Sequence, residues 1–440
     1  MLLPPDSSYR KAIGNCSIDR EFFALLDERG RLTMDDWIKF CYCPIDGGIC
    51  NRSGGTFKND YCVWSFSQGC PEFSGHQFYS AYCLIKNKTK SPTNMAPETC
   101  PKEAPPFKSA SLIMLFRHGE RSPTETYPND PYKEYKWSGG WGHLTNRGKL
   151  QMYDLGLRLK EEYKDYLPGF YWYEDVNITS SYADRCLMSA ELVCAALFPP
   201  KGYQVWNPEL LWQPVPVKYL PRSQDTSIAM KVKCDKYDKM FNDVMNSSKV
   251  QNILSENKEL IKYLSENTGT EMDTIGKIEL LFNTLEIEML NNLTLPHWVN
   301  DTIMQTMKRL GAQNLALYSE TPFMKRIKGG VLLGNIIASM ESALQGKNVP
   351  SLFLYSGHDL TIVHVLRSLN LVDTIKPNFG ATLIFELHSH GEVKIAYRNS
   401  WDEVAEEKLI DSCKSPCQLS GWKTYLDPVL PTNWQEECKM

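Results

Sequence analysis

The sequence predicts an α/β protein. A mixed, mainly parallel sheet is covered by helices on both faces, carries a helical cap and follows a small disulfide-rich module. Three observations predict this. From Ser109 onward, short apolar runs alternate with stretches of helical periodicity, the pattern of strands joined by crossover helices. From about 234 to 347 the apolar residues recur at three and four, so this block reads as inserted helices. Eight of the fourteen cysteines (Cys16, Cys41, Cys43, Cys50, Cys62, Cys70, Cys83 and Cys100) crowd into the first hundred residues.

The composition bounds the function. A chain of 440 residues suits two or three units. It is 42% hydrophobic and 23% charged, ordinary for a soluble globular protein. A formal charge of -4 gives no reason to expect nucleic acid or an anionic membrane as the main partner. No apolar run approaches the ~18 residues of a membrane-spanning helix. The start, Met1 to Asp6, lacks a signal-peptide apolar core, so an export signal is expected to be trimmed or to lie outside the chain. The cysteines and the Asn-X-Ser/Thr sequons at Asn15, Asn51, Asn87, Asn177, Asn246, Asn292 and Asn300 favour an oxidising, secretory compartment, secreted or lysosomal.

The elements follow in order. Residues 1–87 form the cysteine-rich module, with a short helix over Ser17 to Glu28 capped by Ser17. A unit this small needs disulfides as staples. Cys41-Tyr42-Cys43 could be a metal corner, but no second Cys or His pair follows at finger spacing, so disulfides are the preferred reading. Residues 88–108, with Pro92, Pro97, Pro101, Pro105 and Pro106, read as an extended linker. Residues 109–440 are the α/β domain, with the cap inserted at roughly 200–345.

Leu112 to Phe116 is a buried strand, too short for a helix. Thr124 to His143 is a loop. Leu144 to Tyr163 is a helix, with Leu150, Tyr153 and Leu157 and also Met152, Leu155 and Leu159 at helical spacing. Val176 to Ser181 is a strand, and Ala183 to Leu197 a helix ended by Pro199-Pro200. Leu211 to Leu220 is extended, with prolines that suit an edge. Ser351 to Tyr355 is a third buried strand, followed by a helix from Leu360 to Leu369. Ala381–His388 and Glu392–Tyr397 form a hairpin around Ser389-His390-Gly391.

The chemistry concentrates at strand exits, where open α/β sheets bind ligands. Arg117-His118-Gly119-Glu120-Arg121 closes the first strand, and a neutral imidazole between guanidinium forks suits attack on an anion such as phosphate. Arg185 stands at a helix start, where free N–H groups and the dipole favour anions. His358-Asp359 follows the third strand and offers a phosphate donor and a proton donor. His143, beside Trp141-Gly142, is a candidate for the site mouth. His364 reads as a satisfied core residue, and Cys186 and Cys194 as buried free thiols.

Arg117-His118-Gly119-X-Arg121-X-Pro123, Asp184-Arg185 with Met188-Ser189, and His358-Asp359 together resemble the histidine acid phosphatases. Tyr127 to Pro131, Trp141 to Gly148 and Trp212 to Pro216 resemble the animal prostatic, lysosomal and venom branch. The resemblance covers Leu112 to Cys438, and the cysteine-rich module is not part of the usual pattern. It implies a three-layer αβα core of phosphoglycerate-mutase-like type. It also implies an acid phosphomonoesterase with His118 as nucleophile, forming a phosphohistidine, and Asp359 as proton donor. Arg117, Arg121, Arg185 and His358 would bind the phosphate, with no metal and no cofactor. It implies the disulfides Cys234–Cys438 and Cys413–Cys417, and a homodimer. The family's further pair through the cap is absent, and His143 stands where the family often has Gln.

Phosphoryl transfer asks for positioning and charge stabilisation, which such a cage supplies. Three arginines would keep His118 unprotonated at low pH. Asp359 must be protonated to act, and a free Asp titrates at about 3.9, so an acidic optimum is expected. The substrate is a small-molecule or protein phosphomonoester. Alternatives are a phosphatase specialised for inositol phosphates, sugar phosphates or lysophospholipids, and a catalytically weak binding protein whose amino-terminal module engages an extracellular receptor or matrix. A phosphoglycerate mutase shares the Arg-His-Gly start but is cytosolic and uses a Glu acid, which His358-Asp359, the sequons and the disulfides disfavour.

Overall fold

Strand β4 (Ser109–Arg117) is central because its side chains have a core on each side. Leu112, Met114 and Phe116 point into one apolar cluster, Ile113 and Leu115 into another, and all five are fully buried. The strand period of two sends alternate residues to opposite faces, so a strand covered on both sides must read as an unbroken apolar run.

The computed structural model describes residues 109–410, 413 and 416–439, and the backbone of three short strands before them, 40–43, 56–58 and 61–65. The chain divides into two units at Pro106/Phe107. In the first, β1 (Phe40–Cys43), β2 (Thr56–Lys58) and β3 (Tyr61–Ser65) form an antiparallel sheet in the order β1-β3-β2. The helix expected over Ser17 to Glu28 and the linker expected at 88–108 lie outside the described residues.

The second unit holds a seven-stranded sheet in the order β10-β9-β8-β4-β7-β5-β6. β4 runs parallel to β7 (Leu352–Gly357), which is parallel to β5 (Val176–Ser180), and β5 is parallel to the edge strand β6 (Lys218–Tyr219). On its other side β4 is antiparallel to β8 (Thr382–His388), followed by β9 (Val393–Arg398) and β10 (Glu406–Glu407). The sheet is thus mixed, and β8–β9 is the hairpin expected around Ser389-His390-Gly391.

Helices α1 (Asn146–Glu162) and α2 (Asp184–Leu197) cover one face. The Thr145 hydroxyl accepts a hydrogen bond from Gly148 N and caps α1. Of the two apolar stripes read on this helix, Met152, Leu155 and Leu159 are buried, whereas Leu150, Tyr153 and Leu157 are exposed. Cys186 and Cys194 are buried free thiols.

The helical block expected at roughly 200–345 divides. Helices α3 (Asp235–Met245), α4 (Ser248–Glu256), α5 (Lys258–Thr268), α6 (Ile275–Leu290), α7 (Asp301–Leu317) and α8 (Pro322–Ile327) share an apolar cluster of their own and form the cap. Helix α9 (Gly329–Leu344) instead buries Leu332, Leu333, Ile336, Ile337 and Met340 on the other face of the sheet, with α10 (Asp359–Ser368) and α11 (Leu419–Leu426). Ile228 and Met230 join that cluster, and Lys218–Tyr219 joins the sheet. The cap is therefore narrower than the sequence suggests. Helical periodicity marks a buried stripe but not the surface that buries it.

The disulfide Cys234–Cys438 (S–S 2.18 Å) ties the start of α3 to α12 (Trp434–Glu437), and Cys413 is bonded to Cys417. Among the described residues no helix is long and apolar enough to cross a membrane.

Candidate active site

Three adjacent parallel strands end at one place. β4 delivers Arg117 and His118, the turn after β5 delivers Ser181 and the first turn of α2 delivers Arg185, and the exit of β7 delivers His358 and Asp359. The register, with Arg117 opposite Gly357 and Ser180 opposite Ser356, brings these ends level.

His118 is 2% exposed. Its Nδ1 lies 2.8 Å from Gly119 O, and Arg185 Nε lies 3.1 Å from its Nε2. A carbonyl only accepts and a guanidinium only donates. The ring proton is therefore on Nδ1, and Nε2 carries the lone pair that faces the cage. Burial, then Arg185, Arg117, His358 and Arg121, holds the His118 pKa well below the ordinary value, so the neutral ring persists in acid.

The main chain around His118 is fixed. His118 N donates to Gly357 O, and Gly119 N donates to Ser189 Oγ at 3.1 Å. Gly119 and Gly148 are in close approach. A Cβ at Gly148 would stand 2.0 Å from Glu120 O, and one at Gly119 would stand 2.4 Å from Gly148 O. Glu120 is fully buried and points away from the cage. Its carboxylate accepts from Thr145 Oγ1 and Asn291 Nδ2 and pairs with Arg147 Nε at 3.2 Å, joining this loop to α1 and to the end of cap helix α6.

Arg117 is 2% exposed. It donates to Pro377 O, pairs through NH2 with Asp359 Oδ2 at 3.0 Å, and lies 4.2 Å above the Phe379 ring. Arg121 is buried and donates to Ser122 O, and burial, then Arg185 and Arg117, lowers its pKa to about 10. Three guanidinium groups thus crowd one small volume. Such a concentration of charge is costly to bury unless an anion compensates it.

His358 has Ser181 Oγ 2.9 Å from its Nε2 and Arg185 NH2 3.5 Å from its Nδ1. Burial, then Arg185, lowers its pKa to about 3, against the opposing pull of Asp359. Its N–H donates to Thr361 Oγ1, whose hydroxyl donates to Ile228 O, so the turn into α10 is locked from both sides. Burial raises the Asp359 pKa, but Arg117, Lys376, His118 and His358 outweigh it and hold the carboxyl well below the usual range.

The structure thus gathers Arg117, His118, Arg121, Arg185, His358 and Asp359 from three stretches of chain. His143 lies outside this cluster: its side chain is exposed, and its main chain bonds to Ser122. His364 is a core residue paired with Ser319 Oγ. Sequence reading missed Ser181, the structural duty of Glu120, and the segment Lys376 to Gly380. Pro377 and Phe379 hold Arg117, Gly380 N donates to His118 O, and Lys376 lies 4.0 Å from Asp359. A Pro and a Gly three residues apart, as at Pro377 and Gly380, signal a turn, and nothing in it announces a site.

The family model described as histidine phosphatase superfamily (branch 2) matches residues 110–400. The chain is 32% identical over 348 residues to the lysosomal acid phosphatase of Homo sapiens, covering 76% of this chain and 82% of that protein. It is 34% identical over 335 residues to the prostatic acid phosphatase of Bos taurus, covering 74% and 87%. The Hafnia alvei phytase solved with tartrate shares the fold, with a TM-score of 0.59 at 14% identity, over 76% of this chain and 98% of that one.

Proposed function

The chain belongs to branch 2 of the histidine phosphatase superfamily and is an acid phosphatase, and from that premise we propose the residues and steps of its reaction. His118 Nε2 attacks the phosphorus of a phosphate monoester and the P–O bond to the alcohol breaks. Asp359 gives its proton to the departing oxygen. Asp359, now a carboxylate, takes a proton from water as that water attacks the phosphohistidine. Inorganic phosphate leaves and His118 is restored. Arg117, Arg121, Arg185 and His358 hold the phosphoryl oxygens.

The observation that carries this reading is the His118 tautomer, with its lone pair on the nitrogen that faces Arg185. The acid needs one more step. In the free enzyme Asp359 is an ionised partner of Arg117, so its proton must arrive with the substrate. A bound phosphate draws on the positive charge of Arg117 and repels a neighbouring carboxylate, which raises the affinity of Asp359 for a proton. Catalysis is thus coupled to proton uptake and is fastest in acid. A neutral His118 at the same pH keeps the nucleophile available.

A chromogenic phosphomonoester assayed near pH 5 tests this. His118→Ala is expected to abolish turnover. Acid quench of the wild type during turnover is expected to trap an acid-labile phosphoenzyme, formed more slowly in Asp359→Ala. Equal turnover in wild type and His118→Ala would refute the assignment.

The lysosomal acid phosphatase relatives, the two disulfides and the sequons fit a secreted or lysosomal setting. The phytase neighbours are similar in fold alone, so a specialised inositol-phosphate substrate draws only weak support from them.

A further inference from the structure

We propose that Lys376, held by Glu279 of the cap, is a positioning residue that sets how readily Asp359 takes up and releases its proton. The proposal rests on Asp359 being the proton donor.

Lys376 lies in the loop between α10 and β8 and is 5% exposed. Its Nζ donates to Glu279 Oε1 at 3.0 Å and stands 4.0 Å from Asp359 Oδ2, the oxygen that Arg117 also contacts. Glu279, on α6, is 8% exposed and accepts from Asn314 Nδ2 of α7 at 2.6 Å. The line Asn314–Glu279–Lys376–Asp359 therefore runs from the cap to the reacting group.

The pair has little freedom. A Cβ at Gly311 on α7 would stand 3.1 Å from Glu279 Cγ and 3.3 Å from Lys376 Cδ, so that helix face is moulded to both stems. The ring of Phe282 lies 5.8 Å from Lys376 Nζ. A buried ammonium needs a partner, and Glu279 is one. A plain tie between cap and core would be served by that pair alone. Here the ammonium also faces the carboxylate that must be protonated for the reaction.

Other charged and titratable groups face Asp359 from several packed elements. β4 and its exit supply Arg117, His118 and Arg121, α2 supplies Cys186, and the turn before α10 supplies His358. Arg185 acts on His118 and His358, and Lys231 approaches from the segment before α3. Tyr318 of α7's end faces Glu279. When phosphate occupies the arginines, Lys376, 4.0 Å from Asp359, remains as a cation beside the carboxyl that the substrate does not engage. It keeps the carboxyl acidic enough to give its proton to an alkoxide, and Glu279 moderates that effect.

The test is the pH dependence of kcat for full-length protein with an aryl and an alkyl phosphate. Both variants see the same substrate ionisation, so differences belong to the enzyme. Lys376→Met is expected to move the alkaline limb up by about one pH unit, the low end of what a charge within ~4–6 Å does. Glu279→Gln is expected to move it down, by less. The double variant falls between them, and Lys376→Arg leaves the limb in place. The change in kcat is larger for the alkyl ester, whose leaving group needs the proton more. If Lys376→Met fails to fold, the double variant against Glu279→Gln isolates the same charge. Limbs that stay put, or that move the same way in both single variants, would overturn the proposal. Acid-quench labelling separates this from the parent reading. No phosphohistidine in the wild type sinks the mechanism, whereas labelling with unmoved limbs sinks the role of Lys376 alone.

Discussion

Replacing Glu288 by Gln is expected to stabilise the protein at neutral pH and to leave it nearly unchanged in acid. Glu288 is 1% exposed on cap helix α6, and it hydrogen-bonds to Asp130 in the loop that follows Arg121. Asp130 is itself buried, accepting from Thr126 Oγ1 and Tyr132 N. Burial, then the charge of Asp130, raises the Glu288 pKa from an ordinary 4.5 to about 8. The folded pKa lies above the unfolded one, so the folded state carries the extra proton between these values. Stability is then fully present below about 4.5 and is lost as pH rises towards 8. Each pKa unit is worth ~1.36 kcal/mol, so the loss is on the order of a few kcal/mol. Gln keeps the shape, can donate to Asp130 and does not titrate. Thermal melts from pH 5 to 8.5 measure the difference. At roughly 2–4 °C per kcal/mol for domains of about 150–250 residues, the variant should melt several degrees above the wild type at pH 8 and beside it at pH 5. A gap that does not change with pH, or a wild type more stable at pH 8, would refute the raised pKa of Glu288.

Three further outcomes are expected. Gly148→Ala should cost ~1–3 kcal/mol, since its Cβ meets the Glu120 backbone, and should lower kcat by displacing the adjoining His118 loop; an unchanged melting temperature would count against that contact. Serine at both Cys234 and Cys438 should destabilise the protein by about 2–4 kcal/mol, read from denaturant melts, because the bond closes a separation of 204 residues. Activity near pH 5 should survive a chelator, since arginines carry the phosphate charge; loss on chelation with recovery on added metal would refute this.

Much of the candidate site was legible because its residues sit in short contiguous stretches. Arg117-His118-Gly119-Glu120-Arg121 and His358-Asp359 each follow an apolar strand, and a strand exit in an α/β sheet is a ligand-binding position whatever the rest of the chain does. Lys376 was not legible. Its partner Glu279 lies in the cap, far away in sequence, and an isolated lysine in a turn looks like any solvated one. The two stripes of α1 show the same limit. Leu150, Tyr153 and Leu157 are as apolar as Met152, Leu155 and Leu159, yet only the second set meets the sheet.

The sequence by itself determined the local elements, the mixed α/β class and the residue types at each strand exit, because periodicity and turn chemistry are local properties. Tertiary structure alone decided how the three exits align, where the cap ends and which charges face Asp359. Those depend on strand order and on burial, which arise only when distant segments exclude water from one another.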